Sequence, residues 1–222
     1  MKRIFIVPVF AGLLFATTGC KNMNKAQKGV LIGAGAGGAV GAVVGKAAGN
    51  TAIGAIVGAA VGGVAGGLIG RKMDKQAEEI AQIPGAEVKR VGEGINVTFA
   101  SGVLFGFDKS DLTAQAQTNI KELATILNKY PDTYVRVEGH TDTTGTYQYN
   151  MGLSERRAVA VGNFLKAQGV AANRVQTYWY GATQPVAPNN SDANKAKNRR
   201  VEFSIFANDK MKTEAKKESG QQ

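Results

Sequence analysis

The chain has 222 residues with one histidine and one cysteine, and its formal net charge is +10. One cysteine excludes an internal disulfide, and one histidine with one cysteine is too few ligands for a structural zinc site. The basic residues are scattered and accompany no helix-turn-helix, zinc-finger or RNA-binding pattern. We therefore expect no metal, no cofactor and no nucleic-acid partner, but an anionic neighbour such as cell-wall polymer or lipid headgroups.

Residues 1–19 have the order of a secretory signal peptide. Lys2 and Arg3 stand at the front, an apolar stretch follows from Ile4 to Ala16, and small residues complete the segment. The apolar stretch is too short to span a bilayer. Cleavage of this segment removes two positive charges, so the mature chain has a net charge of +8. We therefore expect the protein outside the cytoplasm.

The position of Cys20 directly after Thr-Thr-Gly resembles a bacterial lipobox, whose cysteine becomes the acylated first residue of the mature protein. This resemblance predicts lipidation at Cys20, with residues 20–28 as a lipidated N-terminus and linker; ordinary cleavage is the alternative. Two or more acyl chains hold a protein on a membrane nearly permanently. Lys21, rather than an aspartate, follows the cysteine, and in lipoproteins this favours the outer membrane.

Glycine recurs every four residues through residues 29–70, a segment that holds 15 of the 29 glycines. The series runs from Gly29 to Gly49, restarts at Gly54 and ends at Gly70. Glycine destabilises a helix interior by roughly 1 kcal/mol relative to alanine, so close approach of another helix is the expected compensation. Each half has about 20 residues, or about 30 Å of helix, which is the thickness of a bilayer core.

The segment resembles the glycine-zipper segments of bacterial envelope proteins, and we predict a glycine-zipper helical hairpin over residues 29–70. One expected partner is a second copy of this chain, which would bind through the zipper. The sequence leaves open whether the hairpin enters the membrane or forms a helical assembly in the periplasm. The strict period argues against a third interpretation, a flexible Gly-Ala linker.

The other segments have more ordinary compositions. Residues 71–86 are predicted to form a short helical connector that ends at Pro84 and Gly85. Residues 87–207 have the composition of a globular domain, and their number is sufficient for one hydrophobic core. The polar composition of residues 208–222 predicts a disordered tail.

Hydrophobic spacing within the domain predicts alternating strands and helices. Two short strands surround Gly92 and Gly94, and helices are predicted over Leu112–Lys129 and Leu153–Gln168. The remaining strands are predicted over residues 133–139, 174–180 and 201–206, with a short helix before the last. This order predicts an α/β (α+β) sandwich with a β-α-β-α-β core and helices on one face of a small sheet.

Four sequence blocks carry a family resemblance: FDKSDLT at 107–113, VEGHTDTTG at 137–145, NMGLSERRA at 150–158 and NRRVE at 198–202. The domain resembles the OmpA-like peptidoglycan-binding domain that peptidoglycan-associated lipoproteins and flagellar stator proteins share. The match extends over residues from about 95 to 206, in the order and spacing of that family. The whole chain resembles an outer-membrane lipoprotein with a glycine zipper and an OmpA-like domain that faces the periplasm.

The resemblance implies a ligand, the peptide stem of peptidoglycan, and chiefly its diaminopimelate with a free ammonium and carboxylate. The residues that the resemblance assigns to this ligand are Asp108, Asp142, Thr143, Asn150, Arg157 and Arg200. Asp142 would accept from the ammonium, and Arg157, in the first turn of the following helix, would bind the carboxylate through two hydrogen bonds. Backbone N–H groups of residues 143–145 would add donors for an anion.

Several of these residues also have purely structural explanations. Asp142 would close an Asx turn, Asn150 would cap a helix that begins near Leu153, and Arg157 would pair with Asp142. We interpret His140 as a hydrogen-bonding loop residue, not as a metal ligand or a catalyst.

Motif alignment favours Arg157 over Arg156 and Arg200 over Arg199. The leading functional hypothesis is a non-enzymatic tether between the outer membrane and the cell wall. A periplasmic wall hydrolase is the alternative from another class, although Ser154 lies in no GxSxG motif. A third hypothesis makes the glycine zipper the functional element, as an oligomeric or membrane-associated assembly.

Overall fold

The computed structural model describes residues 51–220. The predicted signal peptide, Cys20, the linker at 20–28 and the first half of the glycine series lie outside the described residues and stay predictions. The described chain begins in the second half of the glycine series and continues through the predicted domain into the predicted tail.

An open five-stranded sheet forms the centre of the described part. Its strands are β1 (Ala86–Val91), β2 (Gly94–Ala100), β3 (Thr133–His140), β4 (Val175–Gly181) and β5 (Arg200–Ala207). The spatial order is β1-β2-β5-β3-β4, in which β3 and β4 are parallel and the other neighbours are antiparallel. Strand β5 is therefore the central strand, with two strands on each side.

The helices of the described part surround this sheet. They are α1 (Thr51–Gly58), α2 (Gly63–Ile80), α3 (Ser101–Leu104), α4 (Ala114–Lys129), α5 (Tyr147–Ala167), α6 (Asp192–Asn198) and α7 (Asp209–Glu218), with a 3₁₀ turn at Ala172–Arg174. The strand and helix order confirms the predicted fold class.

Helices α2, α4 and α5 cover one face of the sheet and form the main hydrophobic core with it. Alternate residues of the strands point to this face because side chains along a strand alternate between its two sides. Val97, Val137 and Phe203 are examples, and none of the three has exposed surface. The rings of Phe99 and Phe203 meet edge to face, with centroids 5.8 Å apart.

Helix α1 lies against the opposite face, which carries buried polar side chains. The hydroxyl of Ser204 donates to the carbonyl of Ala52 over 3.0 Å, and the hydroxyl of Thr51 donates to the Glu138 carboxylate over 2.6 Å. A Cβ at Gly94 would collide with the side chain of Ile56, so glycine at this strand position lets α1 approach the sheet. One sheet face is therefore packed by the second half of the glycine series.

The second half of the predicted hairpin is not one continuous helix. At the junction of α1 and α2, Gly62 and Gly63 have positive φ angles that break the helix. The two helices of this half pass to opposite faces of the sheet, and the first half of the hairpin lies outside the described residues and stays a prediction. The Glu93 carboxylate, at the tip of the β1–β2 turn, accepts from the backbone N–H groups of Val61 and Gly62 over 2.8 and 2.6 Å and holds this crossing in place.

Two predicted boundaries also differ from the structure. Helix α2 runs through the predicted boundary at residue 70 without a break, because Ile69, Met73, Ala77 and Ile80 continue one buried stripe. The predicted disordered tail is wrong over residues 209–218, which form α7. Met211 and Ala215 of α7 are buried in the core, and the side chain of Asn208 caps the helix by accepting from the Met211 N–H.

None of the helices within residues 51–220 is long and apolar enough to cross a membrane.

Candidate functional site

The residues of the four motif blocks meet at one end of the sheet. Strand β3 ends at His140 and β5 begins at Arg200, and these two residues are paired partners. The loop before α4 and the first turns of α5 lie at the same end, where Arg157 of α5 contacts residues of that loop. This cluster of loop and helix ends is the candidate site.

Asp142 lies two residues beyond the end of β3 and is 5% exposed. Its Oδ1 accepts from the backbone N–H of Thr144 over 2.7 Å, and its Oδ2 accepts from Nη1 of Arg199 over 2.5 Å. Burial by itself would raise the pKa of Asp142, but the Thr144 N–H and the Arg199 guanidinium together hold it below its ordinary value. The side chain is therefore an anion at neutral pH.

Arg157 is also 5% exposed, although it carries a permanent charge. Its Nε donates to the carbonyl of Lys109 over 2.9 Å, and its guanidinium carbon lies 5.1 Å from the ring centre of Phe105. Burial lowers the pKa of Arg157, the anionic Asp108 acts in the opposite direction, and Arg199 adds to the lowering. No ion pair within residues 51–220 engages Arg157.

Asp108 lies on the loop that faces Arg157, and its backbone has a φ of 56°. Aspartate is one of the few non-glycine residues that adopt this left-handed conformation. Its carboxylate accepts a hydrogen bond from the hydroxyl of Tyr149, which raises the pKa of that tyrosine. The neighbouring Phe107 is 99% exposed, so an apolar ring stands at the rim of the cluster.

Asn150 and Thr143 belong to the loop that surrounds Asp142. The Asn150 side chain is buried and donates to the carbonyl of Thr144 over 3.0 Å, so it orders the loop. Thr143 is exposed, and its backbone N–H points to Oδ1 of Asn189 over 3.3 Å. Two of the predicted loop donors, the N–H groups of Thr143 and Thr144, are thus already engaged.

The predicted start of the following helix is wrong. Helix α5 begins at Tyr147, six residues before Leu153, and its cap is Thr146, whose hydroxyl accepts from the Tyr149 N–H over 3.2 Å. Asn150 is therefore not the cap, and Arg157 lies in the third turn of the helix, not the first. The helix N-terminus consequently lies beside Asp108 rather than beside Arg157.

The assignment of Arg200 to the site is corrected by the structure. Its side chain is 3% exposed and points to the opposite sheet face, where Nε donates to Glu202 over 2.5 Å. Its other donors bind the carbonyls of Asn198 and Gln184 over 3.2 Å each. The neighbouring Arg199, with 43% of its side chain exposed, reaches Asp142 instead.

His140 is not the loop residue that the sequence predicts. It is the last residue of β3, is 1% exposed and stacks on the ring of Tyr180 with centroids 5.5 Å apart. Burial, with a smaller contribution from Arg200, lowers its pKa to about 3, so the ring is neutral at physiological pH. Neither ring nitrogen has a hydrogen-bond partner in the described part of the chain.

The site therefore combines two guanidinium groups, Arg157 and Arg199, with two carboxylates, Asp108 and Asp142. Such a cluster is chemically suited to a zwitterion, because guanidinium groups donate to a carboxylate and carboxylates accept from an ammonium. No group of three or more His, Cys, Asp or Glu side chains that could hold a metal ion occurs within residues 51–220.

Two family models match the chain. The OmpA family model matches residues 104–199, which include the first three motif blocks and the first two residues of the fourth. The model described as YMGG-like Gly-zipper matches residues 1–74, which include the glycine series and the first part of α2.

Two curated relatives illustrate these matches. A peptidoglycan-associated lipoprotein of Brucella melitensis is 33% identical over 131 residues, or 59% of this chain and 78% of that protein. Outer membrane porin F of Pseudomonas aeruginosa is 46% identical over 106 residues, or 47% of this chain and 30% of the porin. The chain thus spans about a third of the length of the porin that it matches.

Among solved structures, the cell wall anchor of the T6SS from Pseudomonas aeruginosa has a similar fold. It superposes with a TM-score of 0.54 at 29% identity, over 61% of this chain and 96% of that one. The similarity therefore extends over nearly all of a domain that is described as an anchor to the cell wall.

Proposed function

The chain belongs to the OmpA family, and from this membership we propose that it is a non-enzymatic envelope lipoprotein that binds peptidoglycan and tethers the outer membrane to it. The names of its relatives support this proposal, since they include a peptidoglycan-associated lipoprotein and a cell wall anchor. The similarity to outer membrane porin F supports the outer-membrane location in this proposal, and the lipobox resemblance supports lipid attachment at Cys20.

The observation that carries the binding proposal is the buried guanidinium of Arg157, which forms no ion pair with any residue in 51–220. A charge that is nearly removed from water without a directly bonded carboxylate is costly for the protein. Such an arrangement is retained where a ligand provides the missing anion. Asp142, held in its ionised form beside Arg199, provides the acceptor for a cationic group on the same ligand.

We take the ligand to be the diaminopimelate of the peptide stem. Its side chain ends in an ammonium and a carboxylate on one carbon, which matches Asp142 and Arg157 in sign. Asp108 adds acceptor capacity at the rim, Asn150 orders the loop, and Thr143 presents its side chain to solvent beside Asp142. Arg199 replaces Arg200 as the second basic residue of the proposed site.

The residues around Ser154 support binding rather than hydrolysis. Ser154 has no exposed surface. Its hydroxyl donates to the carbonyl of Met151 and accepts from the Gly181 N–H, each over 2.9 Å. A serine nucleophile needs an accessible hydroxyl beside a general base.

The proposal is tested by retention of the mature chain with Cys20→Ala on purified peptidoglycan sacculi. The full length is needed, because α1 and α2 contribute to the fold and a fragment that begins at residue 85 would lack them. Asp142→Asn keeps an acceptor for the Thr144 N–H, and Arg157→Met keeps the aliphatic contact with Phe105. Each should lower affinity at least about 30-fold, since loss of one member of a buried charge pair costs roughly 2 to 5 kcal/mol.

Arg156→Met is the matched control, because Arg156 is exposed on the neighbouring position of α5. It should bind sacculi within about twofold of the original protein. A stem peptide that contains diaminopimelate should release the protein, and the same peptide with lysine at that position, whose side chain ends in an ammonium alone, should release it far less. Equal losses at positions 156 and 157, or losses that follow a fall in melting temperature, would contradict the proposed site.

A further inference from the structure

One side of α2 carries basic and aliphatic side chains that are not part of the proposed wall-binding site. Val64, Leu68, Arg71, Lys72 and Lys75 recur at intervals of three and four residues and so form one stripe on the helix. We call this stripe the basic face. Val64 is 58% exposed, Leu68 is half-buried, and the three basic residues are exposed.

The three cations of the basic face form no ion pair with any described residue. The nearest acid in the chain, Asp74, accepts from Nε of Arg90 over 2.8 Å and is therefore engaged elsewhere. Glu79 is engaged by Lys129 over 2.6 Å.

Helix α7 borders the basic face. It packs against α2, and its last residue, Glu218, lines a shallow groove together with Leu68, Arg71, Lys72 and Lys75. The groove therefore carries three cations from α2 and one carboxylate from α7, so its lining keeps a net positive charge.

Basic residues next to exposed aliphatic side chains are typical of a helix that lies at the surface of an anionic bilayer. The aliphatic groups enter the headgroup boundary, and each lysine or arginine attracts anionic headgroups. From this combination we propose that the basic face docks on anionic phospholipid headgroups of a membrane surface.

The docking surface and the wall-binding site lie at opposite ends of the fold. Strand β5 begins beside the site at Arg200 and ends at Ala207, directly before α7. The two ends of β5 are roughly 23 Å apart. The start of α2 lies at the end away from the site, because Val61 and Gly62 bond Glu93 just before β2, whose first residues pair with the last residues of β5. One domain therefore contacts a membrane at one end while its other end stays free, and this inference does not depend on the identity of the ligand at the site.

Cosedimentation of the unlipidated mature chain, Cys20→Ala, with vesicles tests the proposal. The protein should bind vesicles of phosphatidylglycerol and phosphatidylcholine more tightly than vesicles of phosphatidylcholine alone, and salt should weaken the difference. The triple variant Arg71→Gln, Lys72→Gln, Lys75→Gln should lower affinity for the anionic vesicles by about tenfold or more.

The control triple variant Lys121→Gln, Lys166→Gln, Lys197→Gln removes the same net charge from exposed positions on three other helices. It should bind anionic vesicles almost as the original protein does. Val64→Ser should weaken binding and Val186→Ser, which removes a similarly exposed valine, should not. Equal losses in the two triple variants would attribute binding to net charge and overturn the proposal.

Retention of the variants on sacculi distinguishes this inference from the proposed function. The basic-face triple variant should be retained on sacculi like the original protein, because the wall site lies at the other end of β5. If the triple variant loses sacculus binding and keeps vesicle binding, the basic face serves the wall and the membrane proposal is refuted. If Arg157→Met loses sacculus binding alone, the two surfaces are independent.

Discussion

The two faces of the sheet are stabilised in different ways. One face buries aliphatic and aromatic side chains such as Phe99 and Phe203 against long amphipathic helices. The other face buries Asn96, Glu138 and Glu202 under the short, glycine-rich α1. The first arrangement depends on apolar area and close packing, whereas the second depends on hydrogen bonds and ion pairs between buried polar groups.

The difference explains why a segment of glycine, alanine and β-branched residues packs on a polar surface. Helix α1 brings few large side chains, but its first residue, Thr51, bonds Glu138 and its Ala52 carbonyl bonds Ser204. A bulky amphipathic helix would bury the carboxylates without such partners, which is costly. The small residues allow backbone and hydroxyl groups to reach the sheet.

The largest expected effect is on the apolar face. Phe203→Ala should lower the free energy of unfolding by about 4 kcal/mol, because it leaves a cavity beside Phe99. Urea unfolding followed by the fluorescence of Trp179 measures the change. Ile56→Ala on the other face is the matched variant, and about 2 kcal/mol is expected there. If both variants cost the same, the two faces contribute alike and the comparison fails.

The next effect concerns the buried pair on the polar face. Glu202→Ala should cost about 3 kcal/mol, because it leaves the Arg200 guanidinium buried without its carboxylate and removes the acceptor of the Asn96 amide. The double variant Arg200→Met, Glu202→Leu should be less destabilising than Glu202→Ala alone, because it leaves no buried charge. The same unfolding measurement gives both values, and a double variant worse than the single one would contradict this account.

The smallest effect is a pH dependence that arises from His140. Its pKa is about 3 in the folded protein, below the ordinary value of 6.5, so the unfolded chain binds more protons between these values. Stability is therefore present above pH 6.5 and lost as the pH falls, by about 1.4 kcal/mol for each pH unit at most.

His140→Phe should keep the stack on Tyr180 and remove this contribution. Unfolding curves at pH 7 and pH 5 should then differ less for the variant than for the original protein. A variant with the same acid sensitivity as the original protein would show that other groups are responsible for it.

Much of the site could be read from motifs, whereas the choice between neighbouring arginines could not. The motif blocks meet at one end of the sheet, where Asp108 acts on the charge of Arg157 and Arg199 contacts Asp142. Alternation along β5 could have corrected the prediction at Arg200, because Val201 faces the apolar core and its neighbour in the strand must face the other side. Tyr149 carries no comparable signal, since its contact with Asp108 joins residues 41 positions apart.

The sequence by itself determined the order of strands and helices, the single core and the residue types of the recognition loops, because periodicity and turn residues act locally. Only the tertiary structure decided where α1, α2 and α7 pack. Glycine spacing and polar composition are compatible with a hairpin, a tail or a docked helix, and the choice depends on partners distant in the chain. Glu93, Glu138 and Ser204 supply those partners for α1 and the crossing to α2, and helix α2 supplies them for α7.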